Sequence, residues 1–231
     1  MGLFAIADLH LSRSGEKPMD IFGAHWAKHE EKIKERWIEV VAPEDTVLVV
    51  GDISWGLRFE EALPDLEWLA ALPGTKVMVR GNHDYWWSSK KSAARLKASL
   101  PASLVPLHKT SYVVEVDGVR VGIAGTRGWV VPPATPHDAE IIATEEQRLR
   151  ASLASLPKEV DRKIGMIHIP PFTPELRDTS FIEIFREAGV TEVVYGHVHR
   201  GKGRSFEGSR GGITYRNVAV DQIDFRPYRL L

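Results

Sequence analysis

The chain contains no cysteine, so disulfides and thiolate metal sites are excluded, and any metal must be held by histidine, carboxylate or amide. It also lacks an excess of charge: 30 Lys and Arg stand against 31 Asp and Glu, a formal net charge of −1 with His neutral. That balance supports neither a nucleic acid nor an anionic membrane as partner. Long apolar runs are missing too. None approaches the ~18 residues that a membrane span needs, and no basic segment followed by a long apolar core opens the chain. Asp8 belongs to the loaded motifs described below, and the run before it begins beside Met1. Loss of an N-terminal leader would destroy that motif, so the cytoplasm is the expected location. What remains is ordinary globular composition: 231 residues, 43% of them hydrophobic, expected to form one domain over 1–231.

Nearly all the chemically loaded residues sit in five short motifs: Asp8-Leu9-His10, Gly51-Asp52, Gly81-Asn82-His83-Asp84, His168, and Gly196-His197-Val198-His199. Each follows a short aliphatic run (Leu3 to Ala7, Val47 to Val50, Val77 to Val79, Ile164 to Ile167, Val193 to Tyr195) with the composition of a buried parallel strand. In open α/β sheets, ligands gather beyond the carboxyl ends of the strands, so the five motifs should converge. An extended backbone places residues i and i+2 on one face, which would aim Asp8 with His10, and His197 with His199, at a common point. Gly196, Gly51 and Gly81 are expected to relieve tight backbone approaches there.

In this order the motifs resemble those of the calcineurin-like metallophosphoesterases, whose pattern runs D-x-H, G-D, G-N-H-[DE], a lone His, then G-H-x-H; the match extends from position 8 to 199. The resemblance implies an α/β fold, a four-layer αββα sandwich with two mixed β-sheets. It further implies two divalent transition metals. Asp8, His10, Asp52 and His199 would hold one, Asp52, Asn82, His168 and His197 the other, with Asp52 bridging and a hydroxide between the ions attacking phosphorus. Manganese is the expected metal, with iron or zinc as alternatives, because four of the ligands are imidazoles. Two such ions carry four positive charges against the two negative charges of Asp8 and Asp52, leaving a net positive site for a phosphoryl group. His83, adjacent to a ligand, would be the general acid. Asp84 has two readings, orienting His83 or capping a helix before Tyr85.

The rest of the chain reads as a βαβ rhythm followed by a change of character. Helices are expected over about 23–41, 59–71, 86–100, 138–156 (capped by Asp138) and 181–188. Asp117-Gly118 should turn a hairpin between strands 111–116 and 119–125, opening a second, partly antiparallel sheet. Further strands are expected over 203–206 and 213–217.

Other residues carry weaker readings. Arg80, Arg127 and Trp129 are candidate substrate-binding residues by their proximity to motifs and to the Pro-rich loop 129–136; Arg13 and Arg200 have the same standing. His25 and His29 are spaced i and i+4, read as solvated or cleft-lining rather than metal ligands; His137 could belong to a lid, and His108 reads as a core residue. Trp86 and Trp87 read as packing. The protein-phosphatase branch continues its Gly-Asp motif into Asp-Arg-Gly, whereas this chain has Ile53-Ser54-Trp55-Gly56, without that phosphate-gripping arginine. The expected activity is therefore hydrolysis of a small phosphoester, with a lean to diesters and room for a nucleotide-like group. The alternatives are a monoesterase, a nucleotide pyrophosphohydrolase, or a non-catalytic scaffold of the same fold, a reading against which His83 stands.

Overall fold

The computed structural model describes residues 1–13, 17–87 and 93–231. Its strands are β1 (Leu3–Ile6), β2 (Thr46–Val50), β3 (Thr75–Val79), β4 (Leu104–Pro106), β5 (Ser111–Val116), β6 (Val119–Thr126), β7 (Arg162–Ile167), β8 (Glu192–Tyr195), β9 (Gly208–Arg210), β10 (Ile213–Asn217) and β11 (Tyr228–Arg229). They form two sheets, ordered β11-β1-β2-β3-β4 and β5-β6-β7-β8-β10-β9. Both are mixed: β1 to β4 run parallel with β11 antiparallel, and β6, β7, β8 and β10 run parallel with antiparallel β5 and β9 at the edges.

Alternation along the strands builds four layers. Leu3, Ala5, Leu48, Val50, Val77 and Val79 of the first sheet point to one core shared with Val121, Ile123, Ile164, Met166 and Val194 of the second. Their neighbours Phe4, Ile6, Val47, Val49 and Met78 face the other way, onto Ile33 and Trp37 of α1 (His29–Val40) and Leu66 and Leu69 of α2 (Phe59–Ala71). On the far side, Ala124, Ile167, Val193 and Tyr215 meet Leu149 and Leu153 of α4 (Pro136–Ala154) and Phe181 and Phe185 of α5 (Ser180–Glu187); α3 covers Ala93–Ala98. The helix–sheet–sheet–helix order is the αββα sandwich.

Several expected boundaries move, each for a local reason. The helix expected from Gly23 begins only at His29, because Gly23 (φ 136°) and Lys28 (φ 55°) leave the helical region; two short 3₁₀ turns, Met19–Phe22 and Ala24–Trp26, precede it. The long helix starts two residues before Asp138. Thr135 is its N-cap and Asp138 the reciprocal partner, with the hydroxyl accepting from the Asp138 N–H and the carboxylate from the Thr135 N–H. The strand expected over 203–206 lies instead at Gly208–Arg210. Of the helix expected over 86–100, the stretch 88–92 lies outside the described residues. The hairpin is as expected: Asp117 (φ 49°) and Gly118 (φ 84°) both take the left-handed conformation of the tight turn that suits strand twist.

The register places the motifs together. Ile6 lies opposite Val49, Val50 opposite Val79, and Ile167 opposite Tyr195, so three motifs leave adjacent strands of one sheet at one level and two leave adjacent strands of the other. Backbone bonds stitch the sheets at this end: the Ala7 N–H donates to Val218 O, and the Val220 N–H to Ala7 O.

Candidate metal centre

The backbone turns sharply at four of the loaded residues that follow strands. Asp8 (φ 60°), His10 (φ 47°), Asp52 (φ 52°) and His197 (φ 70°) are all left-handed, a conformation uncommon outside glycine and concentrated at functional sites. Asp8 and His10 converge through these turns and not through extended alternation as the sequence suggests, and His197 and His199, expected to aim at one point, contribute to different clusters of donors. Three glycines allow the close approach: a Cβ at Gly51 would meet His168 Nδ1 at 2.7 Å and Gly81 Cα at 2.8 Å. A Cβ at Gly81 would overlap Asp52 Oδ1 and the Asp52 backbone N, and one at Gly196 would overlap the Asp8 carboxylate.

Two donor groups result. In the first, Asp8 Oδ1 lies 3.9 Å from His10 Nε2 and 3.8 Å from His199 Nε2, and the two ring nitrogens face each other at 3.3 Å. In the second, Asp52 Oδ2 is 3.4 Å from His168 Nε2, with His197 completing the group. Asn82 Oδ1 joins the second group at 2.8 Å from His168 Nε2. Asp52 Oδ2 also lies 3.9 Å from His10 Nε2, within reach of both groups.

The remaining ring atoms are held from outside. His168 Nδ1 bonds Val50 O at 2.8 Å, and His199 Nδ1 bonds Asp221 Oδ1 at 3.0 Å, which orients each Nε2 toward the cluster. Asp8 Oδ2 accepts from the His197 N–H and Asp52 Oδ1 from the His83 N–H, so one oxygen of each carboxylate is committed and the other faces inward.

This arrangement fits a divalent metal pair. Asp8 Oδ1 is buried with no hydrogen-bond partner among the described residues, an expensive condition for a carboxylate unless a cation sits beside it. Two imidazole nitrogens 3.3 Å apart likewise need a proton or a metal between or beside them. In the protein alone, burial pushes the Asp8 carboxyl up to about 6, and the His10 and His197 rings down to about 3 and 4, leaving both imidazoles neutral and able to donate lone pairs. Burial opposes charge on Asp52 and His168 as well, but their mutual attraction wins: Asp52 is held well below the usual carboxylate range, and His168 is raised to about 9.

His83 stands at the edge of this cluster. Its ring lies 4.6 Å from Trp55, 5.8 Å from His10 and 6.3 Å from Tyr85, and it lines the cavity that opens at His10 and His199. Asp84 does not serve it. The fully buried Asp84 carboxylate accepts from the backbone N–H groups of Ile53, Ser54 and Gly81 and from the Trp86 indole, so it ties the second and third motif loops together, and none of these four bonds goes to the His83 ring.

The weaker candidates fare differently. Arg80 donates to Asp84 O, and Arg127 pairs with Glu145 at 3.2 Å and lies over Trp129; both arginines line a narrow recess with Arg148 that shares no residue with the cavities at the imidazoles. Buried Glu145 and a backbone carbonyl thus hold the guanidinium groups of Arg127 and Arg80 away from the donor groups, and the Trp129 indole donates to Asp138. His29 is buried against His10 O, His25 lines the cavity, and His137 is exposed beside Glu140. Trp86 and Trp87 are buried packing residues, as expected. Sequence reasoning missed Asp221, which follows the last motif by more than twenty residues with no pattern around it, and Trp55, whose ring stacks on His10 at 4.7 Å.

The profile of the calcineurin-like phosphoesterase family matches residues 1–201. Two mycobacteriophage proteins, each described as Gene 66 protein, are similar over shorter stretches. The one from phage L5 is 31% identical over 78 residues, covering 34% of this chain and 37% of its own length. The one from phage D29 is 40% identical over 73 residues, covering 31% and 36%. The chain thus aligns with little more than a third of these relatives. Among solved structures, the phosphopantetheinyl hydrolase PptH from Mycobacterium tuberculosis superposes with a TM-score of 0.61 at 18% identity, covering 100% of this chain and 95% of that one. With the profile matching most of the chain, the protein belongs to the calcineurin-like phosphoesterase family, and its two donor groups have the composition of metal sites.

Proposed function

We propose that the protein hydrolyses a small phosphodiester at a pair of transition metals held by Asp8, His10, Asp52 and His199 on one side and by Asp52, Asn82, His168 and His197 on the other. The observation that carries the dinuclear reading is the inward oxygen of Asp52, within 4 Å of a ring nitrogen from each donor group. When bound, the ions supply Lewis acidity and an activated water. Four imidazole ligands favour manganese, iron or zinc over magnesium. The residues themselves set the geometry: Val50 O and Asp221 fix the imidazoles, and His83, outside the donor groups, gives a proton to the departing oxygen. The diester preference rests on the arginines. A monoester brings a second negative charge that a bidentate guanidinium commonly meets, yet Arg80 and Arg127 are committed elsewhere.

Screening the manganese-loaded protein against 4-nitrophenyl phosphate, bis(4-nitrophenyl) phosphate and cyclic nucleotides tests this, with the diesters expected to be turned over faster. Faster monoester turnover would reverse the preference and leave the metal site intact. Asp221 gives a second check. Asp221→Ala removes the carboxylate that orients His199, and should weaken binding of one metal by about 10–100-fold with less effect on the other. Metal titration of the variant would show two unchanged affinities if that hydrogen bond were incidental.

A further inference from the structure

We infer that the two ester arms of the substrate occupy two separate apolar cavities that meet the metal centre at different histidines, and that the arm that leaves is the one beside Trp55. This rests on the diester reading above. One cavity, about 160 Å³, has Phe22, Trp26, Met19 and Trp55 as apolar walls and opens onto His10, His83 and His199. The other, about 190 Å³, has Val130, Phe172, Pro174, Leu176 and Phe206 as apolar walls and opens onto His197. An apolar cavity of about 150 Å³ takes up benzene, so each has room for one ring-bearing ester group.

The walls suit this use. Trp55 is fixed by its indole N–H to Met19 Sδ and by the stack on His10, and presents a rigid aromatic surface. In the second cavity the Phe172 and Phe206 rings meet at 5.1 Å, and the Arg210 guanidinium, itself paired with Asp178, lies over both. Cations stand at the borders, Arg200 and Lys202 at the first cavity and Arg204 at the second, where they complement a phosphodiester anion; Arg200 is also paired with Asp224.

His83 fixes the direction. A general acid must reach the oxygen that leaves, and His83 lines the first cavity and not the second. Water forms the new P–O bond, the bond to the arm beside Trp55 breaks, and that arm departs as an alcohol with the His83 proton. The proton lost by water balances it. The product left at the centre is the monoester of the arm seated against Phe206.

The manganese-loaded protein is assayed with two diesters sharing a 4-nitrophenolate leaving group, one with a phenyl and one with a methyl retained arm. The wild type should favour phenyl by about 10-fold or more in kcat/KM. Val130→Trp, at an exposed rim position, should fill the second cavity and bring that ratio toward one, and Phe206→Ala should lower it as well. Phe22→Ala, in the other cavity, should leave the ratio as in the wild type, while reducing the advantage of an aryl over a trifluoroethyl leaving group. A phenyl preference that survives Val130→Trp and Phe206→Ala, or that falls equally in Phe22→Ala, overturns the assignment. Turnover of both diesters with no preference in the wild type overturns the subsites alone. Turnover of aryl monoesters without either diester removes the diester reading and the subsites together.

Discussion

Asp52→Ala should empty both metal positions at once and lower turnover by about 10³-fold or more. The reason lies in its two oxygens. One accepts from the His83 N–H at 2.8 Å and is held in place; the other lies 3.4 Å from His168 Nε2 and 3.9 Å from His10 Nε2. No other carboxylate among the described residues is paired with ring nitrogens of both donor groups, so none can take over the bridge. Asp52 is also the partner that draws His168 up to about 9 in the metal-free protein. Without it the second group keeps only His168, His197 and Asn82, none of them an anionic ligand. His10→Ala, by contrast, removes a ligand from one group only and should weaken mainly that position. Metal titration of the two variants distinguishes the cases, and equal, independent losses in both would mean that Asp52 does not bridge.

His83→Ala should keep both metals and still lose about 100-fold or more in turnover of a diester with a poor leaving group such as an alkoxide. Its ring contacts are Trp55, His10 and Tyr85, and it is absent from both donor groups, which is why metal content should hold. A nitrophenolate leaves with little help from a proton, so the loss with that ester should be much smaller. Kinetics on both ester types, with metal content measured in parallel, separates the roles. A uniform loss would point to binding of the phosphoryl group, and full activity on both would remove His83 from the chemistry.

The residues of the two donor groups were legible in the sequence because each stands at or near the end of an aliphatic run, and a run of that composition favours a buried parallel strand. The αββα layering came from the resemblance, since periodicity alone establishes a mixed sheet without saying how sheets stack. What stayed hidden depends on contacts between distant segments. β4 is three residues long and carries Pro106, tolerable at an edge but invisible as a pattern; β11 is two residues long and exists because Phe4 and Ala5 offer it a partner. Asp84 looked like an orienter of its neighbour, yet its carboxylate closes bonds to Ile53 and Ser54, some thirty residues earlier. Arg80 and Arg127 looked like phosphate grips because they stand beside motifs, whereas strand geometry sends their side chains to the recess of Glu145 and Arg148. Asp221 is an aspartate with no local signal, and only the folded chain places it against His199 Nδ1.

Saturation of the wild-type protein with manganese, removal of unbound ions and elemental analysis tests most directly whether the donors form one centre for two metals. Two ions per chain are predicted, and one or none, with every proposed ligand intact, would contradict the dinuclear account.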